Sequence, residues 1–206
     1  MRYTDFMALQ NNNIPKEVSR LRLCSALQNC GHSVEMCLKK SKASKIVVFD
    51  DDTLGYTDWR IRGKNRPDAF TIHNKFKKTI VLLPLDHRII SGPNIIVGGV
   101  ADCAILTTSN LDFIEFKTNV IGNSVENLDT RTEKAMKQLW RTYDGIFKPR
   151  CLQNSIDIPA LVKIEFYIVF NKELDVTGAM ASRQNYQEEF RERYGYRLFF
   201  ENEKEY

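Results

Sequence analysis

The 206-residue chain has no apolar run long enough to cross a bilayer. Its best stretches, Ala104-Ile105-Leu106 and Tyr167-Ile168-Val169-Phe170, fall far short of the roughly 20 residues that a spanning helix needs. A membrane partner is therefore not expected. The opening MRYTDFMALQNNN has no apolar centre and reads as a polar leader, not a secretory signal. Paired cysteines are also missing. The five present (Cys24, Cys30, Cys37, Cys103 and Cys151) show no Cys-x-x-Cys spacing. That excludes a disulfide framework and a zinc knuckle, and implies reduced thiols in a cytoplasmic protein. Histidine is scarce, with three residues and no His-Glu-x-x-His or His-x-His arrangement. There is no Gly-x-Ser-x-Gly elbow for acyl transfer and no phosphate-binding loop ending in Lys-Ser/Thr. A strong charge imbalance is absent too. The formal charge of +4 permits a nucleic-acid partner without requiring one.

What remains is an ordinary mix, 43% apolar and 27% charged, long enough for one sizeable domain spanning 1–206. Pro15 suits a first helical turn. Val18, Leu21, Cys24 and Leu27 then form an apolar stripe, predicting a helix over 16–29 broken at Gly31. KIVVFD (45–50) and KTIVLLPLD (78–86) read as strands, the second ended or placed at an edge by Pro84. Between them, residues 51–70 read as irregular and polar. Residues 95–107 and 111–121 read as two strands of an antiparallel hairpin joined at Thr108-Ser109-Asn110. The period then changes. Leu128, Ala135, Met136, Leu139, Trp140, Tyr143 and Phe147 predict an amphipathic helix over 123–147. A β-branched strand over 160–170, a charged helix over 182–195 and a short strand over 196–202 follow, with ENEKEY as a flexible acidic tail. The expected class is α/β.

The hairpin carries three charges in otherwise apolar strands: Asp102, Glu115 and Lys117. Alternation puts Glu115 and Lys117 on one face and Ile114 and Phe116 on the other. A register centred on 108–110 brings Asp102 to their level. One account is a solvated face with a cross-strand ion pair. Another is chemical. Two carboxylates side by side offer hard oxygen ligands for Mg²⁺, or Mn²⁺, and a neighbouring lysine can orient a water or offset charge on a phosphorane.

Asp102, followed after twelve residues by Glu115-Phe116-Lys117, resembles the PD-(D/E)XK nuclease superfamily, whose fold is restriction-endonuclease-like. The resemblance covers most of residues 16–170 and implies a central mixed sheet flanked by helices. It implies Asp102 and Glu115 as metal ligands, Lys117 as the third catalytic group, and a nucleic-acid substrate, DNA in preference to RNA. The family proline before the aspartate is replaced by Ala101. Many members add an acid from the first helix, for which Glu17 and Glu35 are candidates. Some carry a glutamine and a tyrosine on the following helix, matched by Gln138 and Tyr143 with one extra residue between them. The implied protein acts alone, as a homodimer, or as a subunit of a larger complex. The alternative is a catalytically silent binding protein, such as a defence accessory subunit.

Other features compete less well. Asp68 in RPDAF reads as a turn residue. The triple aspartate at 50–52 reads as a solvated strand end, and His87 as a surface histidine. Arg60, Arg62, Lys64 and Arg66, spaced by two, suggest a ribbon with one positive face that contacts phosphates.

Overall fold

The computed structural model describes residues 14–61, 66–118, 125–173 and 180–206. The expected leader over 1–13, Arg62 and Lys64 lie outside the described residues. The predicted first helix is two short ones, α1 (Lys16–Arg20) and α2 (Leu23–Ala26), because Arg22 adopts a left-handed backbone with φ 49°. The apolar stripe nevertheless does its work: Val18, Leu21 and Leu27 are buried. A third short helix, α3 (Val34–Cys37), leads into the strands.

Among the described residues ten strands form two sheets. The larger has the order β1 (Lys39–Ser41), β5 (Ile80–Pro84), β6 (Cys103–Leu106), β7 (Asn110–Lys117), β8 (Lys163–Phe170) and β9 (Arg197–Phe199). β5, β6 and β7 are an antiparallel meander, and β8 runs parallel to β7 after a helical crossover. The smaller sheet has the order β10 (Glu203–Glu205), β4 (Phe70–His73), β2 (Lys45–Asp51) and β3 (Tyr56–Arg60). The class is α/β, with two mixed sheets flanked by helices.

Three expectations need correction here. The stretch read as irregular contains β3, which forms a hairpin with β2; Thr57 and Trp59 alternate with Tyr56 and Asp58 at period two, but the turn residues on either side mask this. The first hairpin strand is shorter than 95–107. Residues Pro93–Ile96 form a helical turn, α4, and Gly98 and Gly99 hold positive φ, so the ladder starts only at Cys103. The acidic tail is strand β10, parallel to β4, with Tyr206 only 5% exposed. Pro84 ends β5 inside the sheet, beyond the reach of the three-residue β1, where no strand asks for its missing N–H.

The larger sheet is covered on both sides. Ile46, Val48, Phe70 and Ile72 of the smaller sheet pack on Leu82, Ile105, Ile114 and Phe116. On the other side, Ala104, Phe113 and Phe166 meet Met136, Leu139, Tyr143 and Phe147 of the long helix. Burial on both faces explains the near-continuous apolar strands. That helix starts as α5 (Val125–Trp140), widens to π-helix over Arg141–Phe147, and continues as α6 (Lys148–Gln153). Two further helices are the short α7 (Ile158–Leu161) before β8 and the longer α8 (Met180–Tyr194), which Gly195 ends at φ 78°.

Candidate functional site

The hairpin register settles where the three charges stand. Cys103 pairs with Ile114, and one step further along the same register sets Asp102 opposite Glu115. Asp102 Oδ2 accepts a 2.6 Å hydrogen bond from the backbone N–H of Phe116, which ties the two strand ends together. Parity turns Glu115 and Lys117 toward the helix layer, alongside Phe113 and Ala104. This face is not solvated: Glu115 is 1% exposed. The incidental surface ion pair is thereby excluded as an account of Glu115.

Lys117 Nζ donates to Glu115 Oε1 and, at 3.1 Å, to Gln138 Oε1. Gln138 Nε2 in turn donates to the carbonyl of Val100 at 3.3 Å. The helix thus holds both the lysine and the backbone that leads into Asp102. Four residues along, Thr142 Oγ1 accepts the Ala101 N–H at 2.7 Å and donates to Gln138 O. Thr142 lies in the π-helical stretch, where the wider turn departs from ordinary helical spacing; such turns recur at functional sites. The sequence carries no signal for it.

The two glycines before Asp102 have separate reasons. A Cβ on Gly99 would lie 2.6 Å from Gln138 Nε2, and one on Gly98 would lie 2.6 Å from Arg141 Nη1. Both also hold positive φ, 80° and 85°. Gly99→Ala is therefore expected to lose about 1–2 kcal/mol from the left-handed backbone alone, and to push Gln138 off Lys117. Gly55→Ala is the control, since Gly55 shares a positive φ of 70° but has open space around its Cα. Denaturant unfolding of both variants separates the terms. Equal losses would show that Gln138 yields without cost.

The electrostatics are those of buried acids held close together. Burial, opposed by Lys117 and reinforced by Asp86, raises the Glu115 carboxyl to about 7. Burial and then the neighbouring Glu115 push Asp102 well above the usual carboxylate range. Glu115 Oε2 is buried and has no hydrogen-bond partner. Residue 102 keeps part of its surface exposed, at the mouth of a cleft of about 250 Å³ that Asp50, Asp86 and His87 also line. Burial and the neighbouring Asp52 raise Asp50 as well. The reading of 50–52 as a solvated strand end therefore holds for Asp51, which caps its own turn, but not for Asp50. Alternation along β2 turns Asp50 inward with Ile46 and Val48, a signal that was present in the sequence.

The residues fit a hard divalent cation. They offer two adjacent carboxylates, one with an unused buried oxygen, and a cationic side chain to balance the net charge. Among the described residues no group of three or more His, Cys, Asp or Glu is arranged to hold a metal.

Several expected members stand elsewhere. Glu17 is buried at the far end of β5, beside Lys40, Lys42 and Thr79, and does not join Asp102 and Glu115. The short α1 delivers it to the strand start, whereas Asp102 lies by the strand end. Glu35 is exposed and neighbours Cys24. Tyr143 packs in the aromatic core with Phe113 and Phe166, and its hydroxyl pairs with that of Tyr196 at 2.9 Å. Arg60 and Arg66 do converge, but over the Phe49 ring at 4.9 and 4.4 Å, and Arg66 is held bidentately by Asp68. Among the described residues no helix is long and apolar enough to cross a membrane. No family model, curated protein or solved structure matches this chain.

Proposed function

We propose that the chain is a divalent-metal-dependent nuclease that hydrolyses phosphodiester bonds, DNA in preference to RNA, on a restriction-endonuclease-like core. The observation that carries this reading is the bond from the Phe116 N–H to Asp102 Oδ2, one step past the Cys103–Ile114 pair, which sets Asp102 beside Glu115, itself in contact with Lys117 and, through it, Gln138. The order of meander, crossover helix and parallel strand supports it. Asp102 and Glu115 hold the cation. Mg²⁺ or Mn²⁺ there supplies Lewis-acid polarisation of a phosphate and a more acidic water. Lys117 Nζ would orient the attacking water and offset charge on the phosphorane. Gln138 is a positioning residue. It keeps Lys117 on the site face and the Val100 carbonyl in place.

The contact between Lys117 and Glu115 favours one second reading, a binding protein in which the lysine neutralises the acid permanently. The deciding experiment incubates the purified chain with plasmid, single-stranded DNA and RNA, with Mg²⁺ or Mn²⁺ and with EDTA. Cleavage that needs the divalent ion is expected. Retention of every substrate intact would leave the binding reading standing in its place.

A pH dependence follows from Glu115. Its folded-state value of about 7 exceeds the ordinary 4.5, so the native state binds more protons across that window. Without divalent ions, stability falls as pH rises through it, by at most roughly 1.4 kcal/mol per pH unit. Glu115→Gln, which imitates the protonated form, is expected to match the parent at about pH 5 and to be the more stable at about pH 8 in EDTA. Mg²⁺ is expected to raise the melting temperature of the parent but not of the variant. Parallel pH profiles for the two proteins would disprove this assignment of charge.

A further inference from the structure

The strand ends opposite the cleft carry a different kind of surface. Loops 42–44 and 74–79 run side by side, bracketed by the pairing of Ser41 with Ile80 and of Lys45 with His73. The Asn74 N–H donates to Ser44 O at 2.8 Å, joining the loops between these points. Between them the loops present Lys42, Lys75, Lys77 and Lys78, with Lys16 of α1 nearby across a groove of about 510 Å³. Among the described residues no carboxylate forms an ion pair with Lys16, Lys42, Lys77 or Lys78, while Lys75 meets Glu205 at 2.5 Å. The local field is therefore strongly positive although the whole chain is nearly balanced.

In the middle of this surface stands Phe76, 74% exposed. A large exposed aromatic ring is normally folded back onto a core. Here the loop does not allow it. The fully buried Asn74 donates through Nδ2 to Lys78 O at 2.8 Å and accepts from Lys78 N–H at 2.9 Å, and so closes the loop on both sides. Lys77 holds a left-handed φ of 50° that completes the turn. The ring is thus held out in a fixed place, with Lys78 Nζ 5.6 Å from its centroid. The groove beside it has one further unusual feature. Glu17 is 3% exposed, lines the groove among lysines, Ser41 and Thr79, and its Oε1 has no hydrogen-bond partner.

We propose that this lysine-and-phenylalanine end is a contact surface for single-stranded nucleic acid. A base stacks on Phe76, and backbone phosphates lie against Lys42, Lys77 and Lys78. Stacking on a protruding ring needs an unpaired base, which a duplex hides. The lysines supply the sequence-independent hold on phosphate. Six residues, Ile80 to Leu85, separate Thr79 from Asp86, roughly 20 Å at extended spacing. The surface thus lies apart from the candidate site. It rests on the nucleic-acid reading above only in its choice of partner.

The test is run in EDTA, so that failure of binding and failure of cleavage are read separately. Fluorescence anisotropy follows a labelled oligothymidylate, an oligouridylate and a DNA duplex, with phosphatidylserine vesicles as a fourth probe. Phe76→Ala is expected to weaken single-strand binding about tenfold and duplex binding little. Lys42→Glu with Lys77→Glu is expected to weaken it further and to flatten the salt dependence by about 0.7 per lost phosphate contact. Unchanged single-strand affinity in both variants would overturn the proposal. So would a duplex bound as tightly as the single strand, or vesicle binding that the substitutions abolish while oligonucleotide binding persists.

Discussion

Lys117→Ala is expected to lower divalent-dependent cleavage about 10²–10³-fold, the size of loss seen when one donor aimed at developing charge is removed. Among the described residues Lys117 is the cation that contacts Glu115, and it is itself fixed by Gln138. Removing it would take away the group proposed to face the phosphorane but leave both carboxylates in place. Metal-dependent stabilisation should therefore survive. Without the lysine, Glu115 loses the interaction that holds its carboxyl down against burial, and cation binding moves to higher pH. Gln138→Ala should show a smaller loss of cleavage, because Lys117 keeps its charge but not its aim. The check is single-turnover cleavage of a defined substrate, with melting temperature followed with and without Mg²⁺. Cleavage at the parental rate in Lys117→Ala would remove the catalytic assignment of this residue.

Lys204→Met is expected to destabilise the fold by about 3–5 kcal/mol, the cost of stranding buried charge. Lys204 belongs to β10 in the smaller sheet and reaches across to the larger one, 2.7 Å from Asp112 Oδ2 and 2.6 Å from Glu165 Oε2. Asp112 is fully buried, and the Tyr206 hydroxyl donates to the same Oδ2. Burial raises the Asp112 carboxyl to about 6 against the pull of Lys204 and Tyr206. Burial also raises Glu165, but the bonds from Lys163 and Lys204 outweigh it and hold that carboxyl below its ordinary value. Removing the lysine leaves two acids facing each other between sheets. Adding Asp112→Asn should recover part of the loss, since the pair couples through direct contact. Urea denaturation at neutral pH measures both. A loss within about 0.5 kcal/mol, typical of a surface change, would mean that β10 is held by its backbone ladder alone.

The charged residues of the hairpin were legible because their placement is local. Alternation along Asn110–Lys117 decides which residues share a face, and the short Thr107–Asn110 turn decides which residues lie across from one another. Gln138 came from the family resemblance alone, and its contact with Lys117 is set by how the long helix packs on the sheet. Glu17 was not legible either. Its helix breaks at Arg22, and nothing in residues 16–29 says which end of β5 it meets.

Read by itself, the chain determined an α/β class, the hairpin, the amphipathic helix and the shared face of Glu115 and Lys117. These depend on period and on short turns, which act over a few residues. Only the tertiary structure decided that a second sheet covers the first, that β10 closes it with Lys204, and that Asp50 and Asp86 join Asp102 at one mouth. Those contacts join residues dozens of positions apart. They arise from burying both faces of one sheet at once, a condition that no single segment carries in its own pattern.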